Sequence, residues 1–229
     1  TEGLGAEPGE LAVFSHSIKN TGNGPTQYTV SCESTDRWTI NIGNSQSSEI
    51  TLEPLNRLQF LPLPIRVRVP NAVDGNPPAG FTQRVECTTT SVMDQTLQTT
   101  ESATVTVLES LDFSPELFDY DGNALGPIAV ADSRPVLNGD TIVTQLLISN
   151  EGNVPMDFTV NAFSSLNTWP IQMTEGSNIQ SEEMSLSIPA GGSKTVSIAT
   201  IVPLTAEMGD SNLITVRTTL EDGPTVTNS

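Results

Sequence analysis

The chain has 229 residues, enough for two domains of about 110 residues that can each bury a core. Its 27 acidic residues against 9 basic ones give a net charge of −18, a balance that repels nucleic-acid phosphates and anionic membranes. No apolar run approaches the ~18 residues of a membrane helix, and the opening TEGLGAEPGE has neither the basic start nor the apolar stretch of a signal peptide, so the sequence reads as processed or as a segment of something longer.

Taken in order, the chain reads as short strands separated by Pro- and Gly-containing turns, with no long amphipathic helical pattern. In the first half the strands fall at 10–19, 26–33, 37–42, 48–53, 58–69, 80–92 and 102–108. In the second they fall at 127–131, 140–149, 156–163, 169–173, 183–188, 193–202 and 212–220. Such spacing suits β-sandwiches, and the Ser/Thr/Asn-rich, acidic composition suits an extracellular β protein.

The halves repeat one another. NTGNGP at 20–25 follows LAVFSHSIK and precedes TQYTV; NEGNVP at 150–155 follows TIVTQLLIS and precedes MDFTV. Asn20, Gly22, Asn23 and Pro25 thus match Asn150, Gly152, Asn153 and Pro155, and Tyr28 matches Phe158. The two tryptophans fall at matching places: Trp38 lies 18 residues after Asn20, Trp169 lies 19 after Asn150. LEP at 52–54 is aligned with SIP at 187–189. The repeated loop is read as one strand-to-strand connection used twice, its asparagine bonding its own turn. Tyr28, Phe158, Trp38 and Trp169 are expected in the cores, each tryptophan packing near the aromatic strand of its own half.

The order of alternating strand, N-x-G-N, aromatic strand, Trp, IPAGGSKTVSI at 188–198 and VPLTAEMGD at 202–210 resembles the Ig-like modules attached to bacterial and archaeal α-galactosidases and the related CARDB-type adhesion domains. The second half matches most of that pattern, with Thr168-Trp169 in place of Gly-Trp; the first departs more, with PLNRLQF at the P-G-x-S turn and a longer PNAVDGNPPAG loop. The resemblance implies an all-β chain of two tandem seven-stranded, Greek-key, Ig-like sandwiches. The expected domains are 1–110 and 127–229, joined by an acidic linker at 111–126.

In such a sandwich the strands carrying Cys32 and Cys87 would be neighbours in one sheet. A disulfide between them is the expectation, with two buried free thiols as the alternative, and Ala162 replaces Cys32 in the second half. His16 is the only histidine; its counterpart by subtraction is Leu146, so a core-edge structural role is expected. Without a second histidine or clustered cysteines, zinc chemistry and a histidine-based nucleophile have little to work with. No P-loop, dinucleotide fingerprint or nucleophile elbow is present, and no catalytic residue is assigned.

The stretch ESLDFSPELFDYDGN at 109–123 crowds acids together. Asp112, Asp119, Asp121 and Asn123 are candidate calcium ligands that would stiffen the hinge, against the plainer reading of a solvated linker with a D-G turn. The sixteen asparagines form no N-x-S/T sequon. Relative to one another, the first half lacks a strand before its PGE turn and the second lacks one after EDGPTVTNS, so strands from outside, either further modules or neighbouring copies, are expected to complete them. The functional expectation is a non-catalytic extracellular structural module of a surface layer, stalk or filament, whose partners are copies of itself or further modules. The alternative is an accessory or carbohydrate-associated module of a secreted glycoside hydrolase or protease.

Overall fold

The computed structural model describes residues 3–119, 124, 135–166, 168–221, 223 and 225–228. It is all-β, with no helix among those residues. The chain divides into two compact units, Thr1–Ser110 and Leu111–Ser229.

Unit 1 contains β1 (Gly3–Ala6), β2 (Leu11–Lys19), β3 (Tyr28–Ser34), β4 (Ile40–Ile42), β5 (Glu49–Thr51), β6 (Phe60–Arg68), β7 (Thr82–Ser91) and β8 (Gln98–Val107). One sheet has the order β1-β8-β7-β3-β5 and the other β2-β6-β4. The period-2 alternation of each strand turns one set of side chains inward. Val30, Val85 and Val105 from the first sheet and Ile42, Ile65 and Val67 from the second are fully buried in one shared core.

Unit 2 contains β9 (Phe113–Phe118), β10 (Thr141–Asn150), β11 (Met156–Ser164), β12 (Ile171–Glu175), β13 (Asn178–Gln180), β14 (Glu183–Ile188), β15 (Ser193–Ile201), β16 (Ile214–Leu220) and β17 (Thr225–Asn228). Its sheets run β13-β12-β15-β10-β9 and β14-β11-β16-β17. Leu146, Ile148, Phe158, Met173, Met184, Ile188 and Val196 from both sheets form its core. The pairings β2–β6, β4–β6, β3–β5, β3–β7 and β7–β8 recur as β10–β15, β12–β15, β11–β14, β11–β16 and β16–β17.

Four strands depart from the sequence expectation, one of them the short β13, which pairs with β12. Gly3–Ala6 is a strand, β1, paired in parallel with β8, so the first strand expected to be missing is present. GLGA has the wrong composition for a strand read alone, but one parallel neighbour supplies the ladder. Thr225–Asn228 likewise pairs with β16, so neither terminal segment is free to serve as a donor strand for a neighbour. Part of the expected linker is also a strand: Phe113–Phe118 is β9, antiparallel to β10. Pro115 lies opposite Ile148 in a pair whose backbone groups point away from β10, so its missing N–H costs the ladder nothing. The strand expected at 127–131 lies outside the described residues.

Candidate functional site

The duplicated loop builds the same cage in both units. Asn20 is fully buried; its Nδ2 donates to Gly24 O (2.9 Å) and Leu55 O (2.8 Å), while its Oδ1 accepts from Gly22 N–H (2.9 Å). Asn150 does the same with Val154 O (2.9 Å), Ile188 O (3.0 Å) and Gly152 N–H (3.0 Å). A Cβ on Gly22 would stand 3.1 Å from Asn20 Oδ1, which ties the glycine to the cage. The cage equates Leu55 with Ile188, so the alignment of LEP with SIP is two residues out. Tyr28 Oη adds a fourth bond to Asn20 Oδ1 at 3.2 Å in unit 1, where unit 2 has Phe158. Asn23 is exposed and Asn153 buried; Pro25 and Pro155 are both exposed at the loop exits.

Cys32 and Cys87 are joined by a disulfide. They are direct partners on β3 and β7, in one sheet. Cys32 N–H donates to Ser48 O on the far side, so the Cys32–Cys87 pair is of the close, non-hydrogen-bonded kind, with Cα atoms 4.1 Å apart. Ala162 and Val216 occupy the equivalent pair of unit 2.

His16 is 2% exposed. Its Nδ1 donates to Glu101 Oε2 at 2.8 Å, and its Nε2 lies 2.7 Å from Thr89 Oγ1. Hydroxyl, imidazole and carboxylate thus stand in the order of a nucleophile, base and orienter. The imidazole and the hydroxyl are buried, however, while Glu101 is half exposed. Thr89 is 9% exposed and faces the core from the middle of β7, so a substrate could reach its hydroxyl only by opening the sheet. Thr89 and Glu101 are 73 and 85 residues from His16, and nothing local in the sequence links them.

The proposed calcium set does not form one site. Asp112 and Asp119 stand at the two ends of β9, about 23 Å apart along an extended strand of seven steps. Asp112 O accepts from Glu151 N–H at 2.8 Å, and Asp119 is half-buried. Asp121 and Asn123 lie outside the described residues. Among the described residues no group of three metal-ligating side chains converges.

Trp38 and Trp169 are both 8% exposed. Trp38's ring neighbour is Phe81, with centroids 6.1 Å apart, and its backbone N–H donates to Ser34 Oγ at the end of β3; Phe158 meets Phe113 of β9 at 5.1 Å. A cleft of about 680 Å³ beside the disulfide is lined by Arg37, Trp38 and Ser48 and by the Arg84–Glu86 ion pair, in which the two side chains satisfy each other at 2.6 Å.

The units differ most at one sheet edge. Val69 N–H donates to Glu10 O and Asn20 N–H to Gln59 O, which fixes the even residues of β2 as hydrogen-bonded partners of β6. The N–H and C=O groups of Leu11, Val13, Ser15, Ser17 and Lys19 therefore face outward. In β10 the parity is the same, and the outward groups of Gln145, Leu147 and Ser149 meet β9 at Phe118, Glu116 and Ser114. Beside Ser15, Ser17 and Lys19, their counterparts, no strand stands among the described residues.

No protein-family model and no curated protein matches the chain. Among solved structures it is similar to the secreted serine protease VesC from Vibrio cholerae (11% identity, TM-score 0.27, 96% of this chain and 49% of that one). It is also similar to the YadV chaperone (9%, 0.29, 94% and 89%) and to a transglutaminase of red sea bream (9%, 0.30, 98% and 30%). The chain thus spans about half the length of the VesC chain and under a third of the transglutaminase. At these TM-scores the likenesses carry no argument about fold or function.

Proposed function

We propose that the chain is a tandem of two Ig-like, seven-stranded, Greek-key β-sandwiches that acts outside the cell as a non-catalytic building unit of a surface layer, stalk or filament. Seven strands of each unit correspond in order and pairing, and the buried asparagine cage fixes the same loop in both. The observation that carries the reading is the fate of the reactive groups. Both cysteines are consumed in a disulfide, and the single histidine is buried between a threonine and a glutamate. These groups hold the fold together. The disulfide also favours an oxidising compartment.

Labelling of source cells tests the proposal. Antibodies against the chain should stain intact, unpermeabilised cells, and shearing should release the protein in assemblies larger than one chain. Staining that requires permeabilisation would overturn the extracellular reading. Retention on a panel of insoluble polysaccharides would move the protein to the accessory-module class; with both tryptophans buried, none is expected.

A further inference from the structure

The sequence contains two Asn-Gly pairs, Asn23-Gly24 in the duplicated loop of unit 1 and Asn138-Gly139 in the turn before β10. In such a pair the glycine nitrogen can attack the asparagine side-chain amide, because glycine has no side chain to hinder the approach and its backbone bends freely. The cyclic imide forms only if the asparagine side chain can turn toward that nitrogen and the nitrogen is not already held in a hydrogen bond. The fold therefore decides which pair reacts.

Asn138-Gly139 is held on both counts. Asn138 Nδ2 donates to Leu204 O (3.0 Å) and Ala206 O (2.9 Å), and Gly139 N–H donates to Val202 O at 2.9 Å. Asn23-Gly24 has neither restraint. Asn23 is exposed, and among the described residues no hydrogen bond holds its side chain or the Gly24 N–H. A Cβ added at Gly24 would meet nothing within 4 Å, so the loop has room for the ring. The matching place in unit 2 is closed: Asn153 is 3% exposed, and the β-branched Val154 follows it. On either side of Asn23 the cage stays fixed, with Gly22 N–H and Gly24 O both bonded to Asn20.

We infer that Asn23 is a site of self-modification, converted without any enzyme to aspartate and isoaspartate in unit 1 alone. Gly24 N attacks Asn23 Cγ; the N–Cγ bond forms, the Cγ–Nδ2 bond breaks, and the glycine proton leaves with the amide as ammonia. Water then opens the imide. Breaking the N–Cγ bond gives aspartate, and breaking the original peptide C–N bond gives isoaspartate, in which the backbone runs through the side chain and gains a methylene. Either product adds a negative charge. Isoaspartate also lengthens the segment between Asn20 and Gly24, whose span the 2.9 Å bond from Asn20 Nδ2 to Gly24 O sets, so the cage of unit 1 opens while that of unit 2 stays whole. The reaction consumes only water and runs in one direction, so it marks the age of each chain. It does not depend on the building-unit reading.

The test follows the folded 229-residue chain over time in mildly alkaline buffer, by peptide mapping. After reduction, cleavage at Lys19 and Arg37 releases residues 20–37. This peptide should split into aspartyl and isoaspartyl forms, each with the mass change of NH replaced by O, and fragmentation should place the change at Asn23 and not at Asn20. Asn138 should react at least about tenfold more slowly, because its loop must open first. In urea the two pairs should react alike. Gly24→Ala, for which the loop has space, should slow Asn23 about tenfold. Followed by Trp38 fluorescence in a Trp169→Phe chain, the isoaspartyl form should unfold at lower denaturant than the unmodified one. The inference is overturned if folded Asn138 reacts as fast as Asn23, if Asn23 converts in urea but stays intact in the folded chain, or if Gly24→Ala changes nothing. Equal unfolding of the two forms would overturn the opening of the cage.

Discussion

Unit 1 and unit 2 solve one problem with different chemistry. Both keep the buried asparagine cage and the same strand pairings. Unit 2 covers the edge of β10 with β9 and fills the space with Phe113 and Leu117. Unit 1 lacks that strand among the described residues, and a disulfide and the His16–Glu101–Thr89 chain reinforce it instead. The comparison teaches that the loop cage belongs to the shared fold, whereas the reinforcement is local to each copy.

Because each unit has a single tryptophan, Trp169→Phe leaves a reporter of unit 1 and Trp38→Phe one of unit 2. In these backgrounds the largest expected effect comes from replacing both Cys32 and Cys87 with alanine. The bond closes a loop of 55 residues, so unit 1 should lose about 4 kcal/mol while unit 2 holds its midpoint. Equal losses would show that the two units unfold as one. The mirror experiment is Leu117→Ala, which should cost unit 2 about 3 kcal/mol and leave unit 1 alone; an effect under about 1 kcal/mol would demote β9 to an ornament of the edge.

Asn20→Ala and Asn150→Ala test what is shared. Each strands two buried carbonyls and one N–H, at about 2 kcal/mol, and the two losses should agree. Disagreement beyond the extra Tyr28 bond would break the equivalence of the cages. Smaller again is His16→Leu, which gives unit 1 the residue of unit 2. It leaves Thr89 and Glu101 without their partner and should cost about 1 kcal/mol, since Glu101 is half exposed and finds water.

The smallest effect lies in the β7–β8 loop of unit 1. Asp94 accepts from Thr96 Oγ1 (2.6 Å) and from Thr96 N–H (3.0 Å), and these bonds hold its carboxyl below the ordinary 3.8. A depressed carboxyl contributes its stability above the unfolded value and loses it as pH falls through the folded one. An NMR titration should place the Asp94 midpoint below 3.8, and Thr96→Val should raise it.

The long strands were legible because period-2 alternation over seven to ten residues leaves little else to read in β2, β3, β7, β10, β11 and β15. The repeat was legible because the cage needs Asn, Gly and a fixed spacing, so its chemistry is written locally. β1 and β9 were not. GLGA carries no strand signal without its neighbour β8, and FSPELF among acids reads as a linker until β10 supplies a ladder in which Pro115 faces outward. The cysteine pair could be placed from strand order, but Thr89 and Glu101 could not be attached to His16, because they lie in the other sheet and only the face-to-face packing of the two sheets brings them together.

The Cys32–Cys87 bond has a consequence for a chain pulled by its ends. It joins positions 55 residues apart, so at about 3.4 Å per extended residue it withholds roughly 190 Å of contour from the stretch. Unit 2, with Ala162 and Val216 at the same two places, has no such tether and can pay out its whole length. Under tension the pair becomes an extensible segment in series with one that stops short. A row of these chains would lengthen in steps of two sizes, a full one from residues 111–229 and one of roughly half that from residues 1–110.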